Sequence, residues 1–184
     1  MDSLAGTIFA GVAAFAATNL DDLFLLVMYF AIGWGRARDV VLGQYAGIGA
    51  LFAVSTLASL LAIAIPAGTL SYLGVLPLLI GLNQLVARGA EAPETPPRTG
   101  FFPVAAATVA NGGDNIGVYI PLFATSSATA IGVYGVVFAV MTGLWCLAAH
   151  WLVRHPSAGA PLRRYGPKLA PLALIAIGLA ILAR

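Results

Sequence analysis

Ala17-Thr18-Asn19-Leu20-Asp21-Asp22 runs straight into the apolar LFLLVMYFA, and further along Ala110-Asn111-Gly112-Gly113-Asp114-Asn115 runs into IGVYIPLFA. Each stretch sets carboxylates inside a long hydrophobic run. A charged side chain at bilayer depth costs at least ~2.5–3.5 kcal/mol, so it is rare there and usually lines a polar pathway. The chain has seven Asp and Glu in 184 residues, and three of them stand in these two places. That concentration points to a membrane protein that moves a cation.

The composition agrees. Hydrophobic residues make up 60% and charged residues 9% of the chain, with a mean hydropathy of +0.95, against about 25% charged in soluble domains. Such a length holds about six spans of roughly 20 residues with short loops, and is expected to form a single transmembrane domain over residues 1–184. One cysteine, Cys146, excludes an internal disulfide framework and a Cys-rich metal cluster. The basic residues are few and scattered, which excludes a nucleic-acid partner. The first residues carry Asp2 and no Lys or Arg. A secretory leader needs a positive start, so the segment is expected to be a span rather than a cleaved peptide.

The expected spans are Leu4 to Ile32, Val40 to Ile65, Leu70 to Val86, Phe101 to Ala124, Thr129 to Val153 and Leu169 to Ala183. The first is long enough that it must tilt, kink or unwind near Thr18–Asp22. The Pro-rich stretch RGAEAPETPPRTG, residues 88–100, reads as a linker. Eight of the nine Lys and Arg (Arg36, Arg38, Arg88, Arg98, Arg154, Arg163, Arg164 and Lys168) fall in the loops after spans one, three and five, leaving Arg184 for the other side. Positive loops stay cytoplasmic, so both termini are expected outside.

The chain also repeats itself. An offset of 93 places Asp21 on Asp114, Asp22 on Asn115 and Phe30 on Phe123, and one of 89 places Gly43 and Tyr45 on Gly132 and Tyr134. Ile80-Gly81-Leu82 has a counterpart in Ile177-Gly178-Leu179. Three spans per copy force the second copy upside down in the membrane. The expected architecture is therefore all-α: six transmembrane helices as two inverted three-helix repeats (residues 1–87 and 101–184, joined by the cytoplasmic linker 88–100), with a site at their interface.

Thr18, Asp21 and Asp22 stand at i, i+3 and i+4, as do Asn111, Asp114 and Asn115, so each trio is expected on one helix face. Together they offer six oxygen-bearing side chains, a set suited to divalent cations. Gly112-Gly113 would let the helix break and free backbone carbonyls as further ligands. Three carboxylates facing a dication leave one negative charge over, which a proton could fill, so metal/proton exchange is the natural mechanism. Cys146 and His150, one turn apart, and Met28 form a secondary set of soft-metal candidates. Gln44, Tyr45, Asn83 and Gln84 are candidates for the transport path. The glycines, including Gly43-x-x-x-Gly47, permit close helix contact in the monomer or in a homodimer.

TNLDDLFLLVMYFA, the GQYAG from Gly43 to Gly47, the LGVLPLLIGL from Leu73 to Leu82 and NGGDNIGVYIPLF from Asn111 to Phe123 resemble the cadmium resistance transporter family of the lysine-exporter superfamily, across essentially the whole chain. The resemblance implies a multi-pass exporter in the cell membrane of a prokaryote, with Cd²⁺ or Zn²⁺ as substrate and no permanently bound cofactor. Its acidic and amide positions would fall on Asp21, Asp22, Asp114 and Asn115. Cadmium favours thiolate and the chain offers one cysteine, so the ligands would be oxygens. An exporter of manganese or of a small organic cation such as a basic amino acid is the alternative within transport. Outside it stand a passive channel and an intramembrane aspartyl hydrolase using Asp21 and Asp114 as a dyad, though no substrate groove is legible and the protein is not expected to be an enzyme.

Overall fold

The computed structural model describes residues 3–32, 36–61, 72–86, 100–155 and 159–183, excluding the side chains of Gln84 and of residues 159–170. Nearly all of the proposed linker 88–100, and with it Arg88 and Arg98, lies outside the described residues. Among the described residues every regular element is helical, with the α-helices α1 Leu4–Thr18, α2 Leu20–Ile32, α3 Ala37–Leu61, α4 Val75–Val86, α5 Phe101–Asn111, α6 Gly113–Ala124, α7 Ala128–Arg154 and α8 Gly159–Leu182. The expected first and fourth spans are thus each split in two, at the polar motifs.

Among the described residues two helices, α3 and α7, are long and apolar enough to cross a membrane, and α1 with α2 makes a third if that bent pair is one span. The described part of α4 is 12 residues, about 18 Å of helix.

The first break has a local cause. Asn19 Nδ2 donates to its own helix at the Phe15 carbonyl (2.9 Å), and Trp145 Nε1 on α7 donates to the Asn19 carbonyl (2.7 Å). An asparagine that bonds backbone in this way competes with the helix. The chain turns by 59° there. At the second break Gly112 bonds back to Val109 rather than to a residue four earlier, which ends α5 in a tightened turn.

Helix α3 packs on α5 and α6, α7 packs on α1 and α2, and α4 packs on α8. Glycines set the closest approaches. A Cβ on Gly43 would lie 2.6 Å from the Phe101 carbonyl oxygen, so α3 and α5 touch backbone to backbone at that point. The aromatic centre is Phe15, Tyr119, Phe123, Tyr134 and Phe138, all buried. Tyr119 and Phe138 meet with ring centroids 4.6 Å apart.

Candidate functional site

Both breaks open onto the same polar cluster. Asp21 and Asp22 occupy the first turn of α2, and Asp114 with Asn115 the first turn of α6. The two turns are built alike: Asp21 Oδ1 accepts from the Asp22 N–H (3.0 Å), and Asp114 Oδ1 accepts from the Asn115 N–H (2.9 Å). A carboxylate at a helix start is favoured by the free N–H groups and the positive end of the dipole.

The carboxylates are joined by an amide from the other break. Asn111 Nδ2, at the end of α5, donates to Asp21 Oδ2 (2.7 Å) and to Asp22 Oδ1 (3.0 Å). Gln44 on α3 donates from Nε2 to Asp22 Oδ2 (2.9 Å), and its own Oε1 accepts from Thr108 Oγ1 (2.7 Å). Asp22 is 3% exposed, so both of its oxygens depend on these amides. Asp114 stands within electrostatic reach of Asp21 and, less strongly, of Asp22.

Behind the carboxylates lies a neutral hub on Tyr119, which is fully buried. Its hydroxyl accepts from Asn19 Nδ2 (2.9 Å) and shares a hydrogen bond with Thr18 Oγ1 (3.2 Å). The Asn115 amide has two seatings. With Nδ2 toward Asn19 Oδ1 (3.1 Å) and Tyr119 (3.2 Å), its oxygen faces two acceptors, the Thr18 carbonyl and Asp114 Oδ1. Turned over, Nδ2 donates to both at 3.0 Å. The second seating leaves one oxygen–oxygen contact, with Asn19 Oδ1, in place of two, and is the better paired.

The structure therefore gathers Asp21, Asp22 and Asn111 at one point, and Thr18 and Asn115 around Tyr119. The breaks undo the face-sharing expected from i, i+3, i+4 spacing, because Thr18 and Asn111 end one helix and the aspartates begin the next. Thr18 Oγ1 bonds to the Ala14 carbonyl and to Tyr119 instead of a carboxylate. Sequence reasoning missed Asn19 and Tyr119. Measured from Asp114, Tyr119 is off the face; measured from Asn115 it is four residues on, one turn along the same face.

The other candidates fall elsewhere. Tyr45 donates to the Ala139 carbonyl (2.9 Å) and lines a pocket of about 140 Å³ between α3 and α7. Cys146 is buried in an apolar cluster with Leu26, Tyr29 and Phe30, and His150 meets Phe30 edge-on at 5.3 Å. Met28 is half-buried, Asn83 is exposed, and the Gln84 side chain lies outside the described residues. Among the described residues, no three His, Cys, Asp or Glu come together as a ready metal site.

The arrangement has a definite chemistry. The Asn111 amide hydrogens bridge two carboxylates, the place where a dication would gain most. Turned over, the same amide would present an oxygen to that cation. The breaks also leave the last carbonyls of α1 and α5 outside the regular helical ladder, where such groups are open to other partners. Carboxylates held at broken, apolar helices are an arrangement that membrane transport proteins use. A family model described as cadmium resistance transporter matches residues 15–184, and the chain belongs to that family. No curated protein and no solved structure matches it.

Removing the Tyr119 hydroxyl should loosen both breaks together. We expect Tyr119→Phe to lower stability by about 1–3 kcal/mol, the usual cost of leaving buried polar partners short of a bond, read as a lower thermal midpoint in detergent. An unchanged midpoint would remove the hub from the account.

Proposed function

We propose that the protein exports a divalent cation, Cd²⁺ with Zn²⁺ as a further substrate, in exchange for protons. The observation that carries this reading is the meeting of Asp21 and Asp22 with Asn111, ninety residues away in sequence, at the junction of two broken helices. Asp21, Asp22 and Asp114 would supply charge, and Asn111, Asn115 and the freed carbonyls neutral oxygens. The negative charge left over by a dication is the place for the exchanged proton. The oxygen-only donor set sits in keeping with a substrate that must also be released.

The architecture proposed is six spans in two inverted repeats, in the cell membrane of a prokaryote, with both termini outside. The packing supports it. Exchanging the repeats carries α3 against α5 and α6 onto α7 against α1 and α2, and both sets of contacts occur. Helices α4 and α8 pair with each other, antiparallel, and their contacts are reciprocal. An offset of 97 residues carries Gly74, Leu78 and Gly81 onto Pro171, Ile175 and Gly178. Correspondingly, Gly81 abuts Pro171 and Ile175, while Gly178 abuts Gly74 and Leu78. Self-complementary contacts of this kind accompany a two-fold relation.

The test is metal flux into proteoliposomes with Cd²⁺, Zn²⁺ and Mn²⁺, with and without an imposed pH gradient. Cadmium movement driven by the gradient, with counterflow of protons, is expected. Flux without proton coupling would mean a channel, and preference for Mn²⁺ or for a basic amino acid would replace the substrate.

A further inference from the structure

The carboxylates are reached by one face of α3, and that face continues past them. Gln44, Leu51, Ser55 and Ser59 follow at steps of seven, four and four residues, so they form one stripe. All four are buried. Gln44 holds Asp22, and Ser55 lies about 16 Å further along the helix axis, on the way to the end of α3 remote from Arg36 and Arg38.

Ser55 is the odd hydroxyl of the bundle. Thr18 and Thr142 are equally buried, and each donates to the carbonyl four residues back on its own helix, while Thr108 donates to Gln44 Oε1. Ser59 donates to the Thr56 carbonyl. Ser55 is 0% exposed, and its Oγ has no hydrogen-bond partner among the described residues. A buried hydroxyl without a partner is a standing cost to the fold, and such groups call for an explanation in function.

Between Gln44 and Ser55 stands Leu51. It seats its isobutyl group directly on Gly112, where any side chain would overlap it, and it packs in the cluster of Val118, Tyr119 and Leu122 on α6. An apolar side chain thus plugs the second break on the side facing away from the carboxylates. If the break is where α5 and α6 move against each other, Leu51 is the residue released by that movement.

We propose that Leu51 is the outer barrier of the transport path and that Ser55, followed by Ser59, is the first polar step beyond it. Ser55 there takes up a partly hydrated divalent cation leaving Asp21, Asp22 and Asp114. This deepens the export reading and rests on it. In the state described here the barrier is closed, which leaves Ser55 dry and unpaired. A hydroxyl is a weak ligand, and weak binding is what an exit step requires.

The decisive variant is Ser55→Ala, because a structural role and a path role predict opposite results. Losing an unpaired buried hydroxyl leaves the fold as stable or more so. As a path residue, its loss should lower the maximal Cd²⁺ flux in proteoliposomes roughly fivefold with the KM for Cd²⁺ unchanged. Ser55→Cys supplies the second measurement. During Cd²⁺ turnover its thiol should react with a membrane-impermeant cationic thiol reagent, beyond the wild-type background of Cys146, and the reaction should block flux. Leu51→Ala in the same chain should speed the modification roughly tenfold. Normal flux in Ser55→Ala, or a Ser55→Cys thiol that stays unmodified while Cd²⁺ moves, overturns the proposal. Absence of Cd²⁺ flux in the wild type is a different result, and it removes the export reading itself.

Discussion

Asp21→Asn and Asp114→Asn are each expected to bring Cd²⁺ flux down to background while the protein still folds. Removing one charged partner of a desolvated ion contact costs about 2–5 kcal/mol, and ~3 kcal/mol is ~100-fold in affinity. The amide keeps the size and the oxygen that each aspartate offers to the next backbone N–H, at 3.0 Å for Asp21 and 2.9 Å for Asp114. Asp21 is also exposed, so the changed group is not sealed among buried partners. Thermal midpoints in detergent should accordingly stay near that of the wild type. Asp22→Asn is a less clean experiment, because both Asp22 oxygens accept from amide nitrogens, of Asn111 and Gln44. An amide there would place donor against donor in a buried site. If Asp21→Asn and Asp114→Asn both transport at the wild-type rate, the carboxylates are structural and the substrate binds elsewhere.

The motifs that single out these aspartates were legible because they violate the pattern around them: acids in apolar runs, twice, in matching order. The break in span one was legible too, since a stretch from Leu4 to Ile32 is too long for one straight helix and carries its polar residues at one place. What the pattern hid follows from the break itself. Spacing rules assume an unbroken helix, and at Asn19 and Gly112 the assumption fails. Spacing therefore groups Thr18 with the carboxylates, whereas it belongs to the end of α1 and to Tyr119. Gln44 and Tyr45 looked equivalent as neighbouring polar residues, but consecutive helical positions face about 100° apart. One reaches Asp22 and the other the Ala139 carbonyl. Ser55 could not be read at all, because an unpaired hydroxyl is a property of its surroundings.

Substitution of Gly178 should have the largest effect on the fold. A Cβ there would lie 2.6 Å from the Leu78 backbone nitrogen and 2.7 Å from the Gly74 carbonyl oxygen, closer than real Cβ contacts come. Both obstacles are backbone, so no side chain can rotate to make room, and α4 and α8 must separate. Overpacking of a close contact costs about 1–3 kcal/mol and sometimes more. Helix association in a membrane has little besides such packing to offset the loss. Gly178→Ala should lower the thermal midpoint in detergent clearly, and Gly178→Leu should prevent accumulation of folded protein. Gly132→Ala is the control, with nothing within 4 Å of its Cβ. The reciprocal position sharpens the test: a Cβ on Gly81 would lie 2.7 Å from the Pro171 carbonyl oxygen, so Gly81→Ala should cost about as much as Gly178→Ala. Equal losses at the two glycines, with none at Gly132, are what an inverted pair of repeats requires. A loss at Gly178 alone would leave α4 and α8 packed without the two-fold relation, and the paired breaks would then need another explanation.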